Sequence, residues 1–388
     1  MSSQQNTRPR PVSNGVDNLQ PKKLSVQIGE RSKYPIIIGT NLEKEILSVL
    51  EKEAQNRRIV IITDNRIKKI FGQNLLATMK KSGRPAELMH FPHGEQNKNQ
   101  TTVTALQHAL LKKHYGRDTL IIALGGGVVG DVVGYVAATY LRGVPYIQMP
   151  TTLLAMVDSS VGGKVGINTP FGKNTVGAFY QPKAVIADLN FLAHQSRKEI
   201  INGLMEAIKT FFTSDKDALL LAMEMNLESP LETSGILQEI VFRSVQIKAG
   251  IAERDEREEN ERRVVNFGHT IGHSLELLSG YRLPHGYAVG YGMLVEAKIA
   301  ELLHFLSPEE CAFIHSYLKT FGITVKPLRK FAISKILSAG KNDKKVRGGL
   351  SYYVLLSSVG TVYKKDGQFA HAVKDSVVKK AFLLVTKK

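Results

Sequence analysis

Thr119-Leu-Ile-Ile-Ala-Leu124 is a run of apolar, partly β-branched residues that stops at three consecutive glycines, Gly125-Gly126-Gly127, and resumes as Val128-Val129-Gly130-Asp131. Few backbones tolerate that order. A buried strand must end in a tight turn, and a helix must start at once and pack so closely that glycine is needed inside it. Ile121 to Leu141 is long enough and apolar enough to suggest a membrane span, but Asp131 sits in its middle and five glycines interrupt it. Strand, glycine turn and packed helix is therefore the expectation, with no membrane partner.

The segments on either side have the same alternation. Leu24–Glu30 and Tyr34–Gly39 read as a strand hairpin, and Arg57–Asp64 reads as a buried parallel strand ending in an acid. Helical periodicity covers Leu42–Gln55, Ile67–Ser82 and Val103–Tyr115, with Ala86–Phe91 as another strand. After about Asp188 helices dominate: Lys198–Phe212, Ile236–Glu253, Asn266–Leu278, Ala288–Leu306 and a closing amphipathic segment, with one short strand-like piece near Leu350. The fold class expected is an α/β N-terminal domain with a Rossmann-like parallel sheet, over residues 24–190. A mostly α-helical C-terminal metal- and substrate-binding domain follows over 191–388. Residues 1–23 are polar and rich in Ser, Asn, Gln and Pro, which reads as a disordered tail.

Composition narrows the function. The balance of 52 basic and 35 acidic residues gives +17, but no run of five basic residues and no tryptophan marks a nucleic-acid groove. The charge instead suits an anionic small molecule. A single cysteine, Cys311, excludes a disulfide framework and any multi-cysteine zinc site, and no secretory h-region precedes the first strand. A reducing, cytoplasmic setting is expected.

Three motifs carry chemistry. Gly125-x-Gly127-x-x-Gly130 lies between strand and helix, where backbone amides can meet a pyrophosphate. No acid follows it by about 20 residues, so a dinucleotide would not bind in standard Rossmann order, and a packing turn is the alternative. Pro150–Lys164 is too polar and glycine-rich for core, and with Lys173-Asn174 it reads as an anion-binding loop or an ordinary surface loop. Asn266-Phe-Gly-His269-Thr-Ile-Gly-His273 puts two histidines on one helical face, with His285 beyond a turn and Glu206 upstream. Without cysteines, zinc would need His and carboxylate ligands, yet such a pair is also a common surface or core pattern. The charged run Glu253–Arg263 reads as a solvated helical face.

Taken in order, GGGVVGD, LRGVPYIQMPTTLLAMVDSSVGGKVGIN, GKNTVGAFYQP, NFGHTIGH, the PHG around His285 and DKK resemble the dehydroquinate synthase family of sugar-phosphate cyclases, from about residue 24 to the end. The resemblance implies NAD and a divalent metal, Zn2+ or Co2+, in a cleft between two domains of a homodimer. It implies Glu206, His269 and His285 as metal ligands. It implies Asp64, Glu95, Lys98, Gly126, Gly127, Gly130, Asp131, Thr151, Thr152, Lys164, Lys173, Phe191 and His194 as cofactor contacts. Asp158, Lys164, Lys209, Lys248, Arg262, Asn266 and His273 would be the catalytic shell. Asn174, Lys344 and Lys345 would bind substrate, and Arg142 would reach the neighbouring subunit's phosphate site. The implied substrate is 3-deoxy-D-arabino-heptulosonate 7-phosphate, converted to 3-dehydroquinate and phosphate, a step of the shikimate pathway toward aromatic amino acids. The enzyme would be a carbon–oxygen lyase with no net redox change. This chain departs from the family's habit at His194, Tyr287 and Ser351, where threonine, glutamate and arginine are usual.

Overall fold

The computed structural model describes residues 19–30, 32–341 and 351–387. Lys344, Lys345 and the first 18 residues lie outside these. A seven-stranded sheet forms the centre, built from β1 (Lys22–Ile28), β2 (Ser32–Gly39), β3 (Arg58–Asp64), β4 (Ala86–Phe91), β5 (Thr119–Gly125), β6 (Tyr146–Pro150) and β9 (Ala184–Asp188). Two further strands, β7 (Lys164–Thr169) and β8 (Gly172–Phe179), make a separate antiparallel hairpin. The order across the sheet is β1-β2-β9-β6-β5-β3-β4, parallel except for the β1–β2 hairpin. The strand expected from Leu24 in fact begins at Lys22, where it pairs with Ile38, so the sheet takes in two residues assigned to the tail.

The sequence shows why the sheet is covered on both sides. In β3, Val60 and Ile62 enter one core while Ile59 and Ile61 enter another, and β5 divides Ile121 and Ala123 from Leu120, Ile122 and Leu124 in the same way. Period-two alternation with no polar face is what a parallel sheet between helical layers requires. Helices α1 (Glu43–Glu53) and α2 (Gln73–Lys81) cover one face, and α3 (Gln100–Lys112) and α4 (Gly127–Thr139) the other. The stretch expected as one helix from Ile67 to Ser82 is interrupted by a π-helical turn at Lys68–Gly72.

The helical half consists chiefly of α5 (Arg197–Ser214), α6 (Ser234–Arg254), α7 (His269–Leu278), α8 (His285–Leu302), α9 (Pro308–Thr320) and α10 (Asp375–Thr386). A capping box starts α5: the Ser196 hydroxyl accepts from the Glu199 amide, and the Glu199 carboxylate accepts from the Ser196 amide. This half shares a continuous core with the sheet edge, because Val26, Ile28, Tyr34, Ile36 and Ile38 pack in the same cluster as Leu204, Ile208 and Phe211 of α5.

Two expectations are corrected. The segment 150–164 is neither a surface loop nor too polar for core, since Leu153, Ala155, Met156, Val157 and Val161 are all buried around a π-helical turn at Ala155–Ser159. Its apolar half packs inward, which leaves Asp158, Ser159 and Lys164 on the cleft wall. The charged run is not a solvated helical face either. After α6 ends at Arg254, the Asp255 carboxylate accepts from the amides of Glu259, Asn260 and Arg262, folding the chain into a tight loop. Arg262 then turns inward, 1% exposed, donating Nη1–H to the Glu256 carbonyl at 2.6 Å and Nη2–H to the Gly162 carbonyl at 3.0 Å.

Helices α7 and α8 meet backbone to backbone, and a Cβ at Gly292 would stand 1.8 Å from the Gly268 carbonyl oxygen. Gly292→Ala should therefore force the two helices apart and cost about 1–3 kcal/mol, read as a lowered denaturation midpoint. Arg262→Ala would leave two carbonyls without donors and should cost about 1–3 kcal/mol by the same measurement. Arg262→Lys should not restore it, because one ammonium cannot span both oxygens with a planar fork.

Candidate active site

The carboxyl ends of β3, β5 and β6 lie side by side, and Asp64, Gly125 and Pro150 end them. Ligands of open α/β sheets bind beyond such ends. A cleft of about 1330 Å³ opens there, between the sheet and helices α5 and α7, and runs from Asp64 to His273 and His285.

Gly126 caps α4, and a Cβ on it would stand 3.1 Å from the Thr152 side chain; on Gly127 it would stand 3.1 Å from the Ser159 hydroxyl. Only glycine leaves the amides at this helix start open to an approaching phosphate. Asp64 accepts from the amides of Arg66 and Ile67 through Oδ1 and faces His93 Nδ1 at 3.0 Å through Oδ2. Lys98 bridges Asp131 and the Asn174 amide oxygen, so strand ends, helix α4 and the β7–β8 hairpin meet at one ammonium. Burial pushes the Asp131 carboxyl up, and Lys98 opposes the shift. Glu95 accepts from Asn168 at 2.8 Å. These residues, with Gly126, Gly127 and Thr152, form the wall that fits a dinucleotide.

At the other end, Glu206 is buried on α5 and its Oε1 has no hydrogen-bond partner. That oxygen faces His285 Nε2 at 3.2 Å and His269 Nε2 at 3.7 Å, and the three donor atoms lie within 4.8 Å of one another. His269 Nδ1 meets the Phe267 carbonyl at 3.3 Å, and His285 Nδ1 meets Glu276 Oε2 at 3.1 Å. Each ring so donates outward from Nδ1 and turns an Nε2 lone pair inward. Two imidazoles and one carboxylate, with the fourth side toward a cleft, is the donor set of a catalytic zinc-type site. An orphaned buried carboxylate oxygen is what a divalent ion would satisfy. Without the ion, burial acts against a charged His285, but the Glu206 and Glu276 carboxylates beside its two ring nitrogens outweigh it and hold its pKa at about 10. Glu276 is lowered to about 2: burial opposes the shift, and His285 and Lys173 outweigh it.

Lys209 sits 2.5 Å from Glu206 Oε2 and 3.9 Å from Asp158 Oδ1, and Lys248 donates to Asp158 Oδ1 at 2.6 Å. Burial disfavours the Asp158 anion, yet Lys248 and Lys209 hold its carboxyl below the usual carboxylate range. Lys164 pairs with Glu258, which also accepts from Asn266 at 2.5 Å.

The structure thus gathers Asp64, Glu95, Lys98, Gly126, Gly127, Asp131, Thr152, Asp158, Lys164, Lys173, Asn174, Asn266, His273 and His285 on the cleft wall. Glu206, Lys209, Lys248 and His269 stand behind that wall, and Thr151 and Gly130 support the glycine turn from below. Arg262 stands behind the wall as well, with Nη1 and Nη2 on two carbonyls and its buried Nε without a hydrogen-bond partner. Arg142 is exposed on the loop after α4, with φ +68, and does not line the cleft. Phe191 and His194 pack on Phe71 outside the cleft, at centroid distances of 4.6 and 5.1 Å. Sequence reasoning missed Glu258, Glu276, Arg66 and Glu199. Glu276 was within reach, lying one turn beyond His273 and two beyond His269 on the same face. Glu258 carries no periodic signal, because it belongs to a loop.

Similarity to known proteins follows the same geometry. Sequence models of the 3-dehydroquinate synthase N-terminal and C-terminal regions match residues 88–202 and 203–346. A 3-dehydroquinate synthase of Syntrophotalea carbinolica is 40% identical over 343 residues, covering 87% of this chain and 93% of that one. One from Caldanaerobacter subterraneus subsp. tengcongensis is 41% identical over 341 residues, covering 87% and 94%. Among solved structures, a 2-deoxy-scyllo-inosose synthase with carbaglucose-6-phosphate, NAD+ and Co2+ aligns with TM-score 0.84 at 24% identity, covering 93% of this chain and 99% of that one. The 2-epi-5-epi-valiolone synthase of Streptomyces hygroscopicus, bound to NAD+ and Zn2+, aligns with TM-score 0.82 at 25% identity, covering 93% and 98%. With nearly the whole length of such relatives matched at this identity, the chain belongs to the 3-dehydroquinate synthase family.

Proposed function

We propose that this chain converts 3-deoxy-D-arabino-heptulosonate 7-phosphate to 3-dehydroquinate and phosphate, using NAD and a divalent ion such as Zn2+ or Co2+. The observation that carries this reading is the Glu206–His269–His285 triad opening into a cleft whose other end is a glycine-capped strand–helix turn. When bound, NAD supplies a hydride acceptor that is regenerated in each turnover, and the ion supplies a Lewis acid.

The chain's own residues position and neutralise. Glu206, His269 and His285 would hold the ion. Glu276 fixes the His285 ring through Nδ1, and Lys173 at 2.9 Å fixes Glu276 in turn, linking the hairpin to the metal end. Asp64, Glu95, Lys98 and Asp131 would hold the cofactor above the α4 start. Asp158, held as an anion by Lys248 and Lys209, opposes the burial that lowers the Lys248 ammonium and, with Glu206, raises that of Lys209. His273, one turn from His269 and facing the cleft, is placed to exchange a proton with a substrate oxygen. Lys164, Asn174 and Asn266 would contact the substrate anions. The division into residues 24–190 and 191–388, with the cleft between, belongs to the same reading.

Arg142, exposed and away from its own chain's cleft, supports a homodimer in which it serves the neighbouring subunit. No helix among the described residues is long and apolar enough to cross a membrane. The cytoplasm, where phosphorylated sugars are made, is the proposed setting.

Glu206→Gln should abolish both stoichiometric metal binding, measured by metal analysis after dialysis, and turnover. A mutant that keeps full metal would overturn the ligand assignment. Phosphate release should occur with the heptulosonate phosphate, form dehydroquinate and leave no net NADH. Release only from sedoheptulose 7-phosphate or glucose 6-phosphate would instead assign the chain to a sister cyclase activity.

A further inference from the structure

Five lysine or arginine side chains line the cleft among the described residues: Arg66, Lys98, Lys164, Lys173 and Arg263. Four are already neutralised. Arg66 pairs with Glu199 at 3.2 Å and Lys173 with Glu276 at 2.9 Å, while Lys98 and Lys164 are in contact with Asp131 and Glu258. Behind the wall, Lys209 and Lys248 are matched by Glu206 and Asp158, and Arg262, which does not line the cleft, gives Nη1 and Nη2 to the carbonyls of Glu256 and Gly162. Arg263 alone of the five has no carboxylate partner among the described residues.

Its placement follows from local geometry. Residues Glu261–Asn266 form a 3-10 turn, in which neighbouring side chains point about 120° apart. Arg262 is consumed by the Gly162 side, so Arg263 emerges toward the cleft, three residues before Asn266 on the same ridge. The Asp255 cap fixes the loop at one end, and Asn260 Nδ2–H, donating to the Gly367 carbonyl at 2.8 Å, fixes it against the C-terminal segment. The guanidinium is therefore held on a braced loop without being neutralised. A multiply charged anion entering a cleft of paired charges gains most from the cation that has nothing to give up.

We propose that Arg263 contacts a terminal oxyanion of the substrate, phosphate or carboxylate, and is a determinant of substrate affinity alongside the residues already named. This rests on the proposed function only for the identity of the substrate, since oxyanion binding can be measured without turnover. A fork of N–H donors fits either group bidentately.

The test uses the full-length, metal- and NAD-loaded enzyme with Arg263→Ala, Arg263→Lys and the control Arg257→Ala, an exposed arginine of the same loop. Equilibrium binding of inorganic phosphate and of quinate is measured by calorimetry, and KM and kcat for the heptulosonate phosphate separately. Arg263→Ala should weaken one of the two anions, and raise KM, by about 10- to 100-fold with kcat within a few-fold of wild type. Arg263→Lys should recover part of the loss, and Arg257→Ala should change neither. Loss confined to phosphate assigns Arg263 to the phosphate end, and loss confined to quinate assigns it to the carboxylate end. Unchanged affinity for both anions, or an equal loss in Arg257→Ala, overturns the proposal. Failure of the proposed function would appear differently, as wild-type enzyme that binds these anions normally yet releases no phosphate.

Discussion

Burying charge is the constraint on which the rest of the structure depends. An isolated carboxylate or ammonium taken out of water carries a penalty of several kcal/mol that only a close partner offsets. Glu206, Lys209 and Lys248 are removed from bulk water or nearly so, Asp158 joins them half-buried on the cleft wall, and none of the buried three could stand there alone. They come from three separate places in the chain: Glu206 and Lys209 from one turn of α5, Lys248 from α6, and Asp158 from the π-helical turn after β6. The two halves must dock in one geometry for these partners to meet. The active-site charges thus position the halves as much as the apolar core does.

The apolar frame supplies the rigidity this requires. The sheet edge β1–β2 and helix α5 belong to one core, so the metal carboxylate rides on an element packed directly against the strands. Helices α7 and α8, which carry the histidines, touch through Gly268, Gly272 and Gly292 with almost no side chain between them. Such close approach sets His269 and His285 at the distance that their shared oxygen needs. The glycines at Gly126 and Gly127 do the corresponding work at the cofactor end.

Much of this is legible in the sequence. Strands with no polar face predicted a parallel sheet covered on both sides, and the glycine turn predicted strand followed by packed helix. His269, His273, His285 and Glu206 stood out by residue type and spacing, though spacing alone did not say which histidine would join the carboxylate. Less legible were residues whose role depends on a loop. The run after Arg254 reads as a charged helix because its composition is that of a solvated face, but Asp255 captures three amides and turns it into a brace. The 150–164 segment reads as a loop because its glycines and polar residues are conspicuous, while its buried residues carry no period.

By itself the sequence determined the layer architecture, because strand and helix periodicities are local and the glycines admit one kind of turn. It also determined the chemistry available, since residue types fix which donors and charges exist. The tertiary structure alone decided which charges cancel and which remain. Adjacent in sequence, Arg262 and Arg263 are separated by a 3-10 turn that gives one to backbone carbonyls and the other to the cleft. Glu258 and Glu276, indistinguishable by composition from the other glutamates, become partners of Lys164 and His285. Pairing is a property of distance across the fold, between residues about 10 to 100 positions apart in the chain, and no local pattern encodes it.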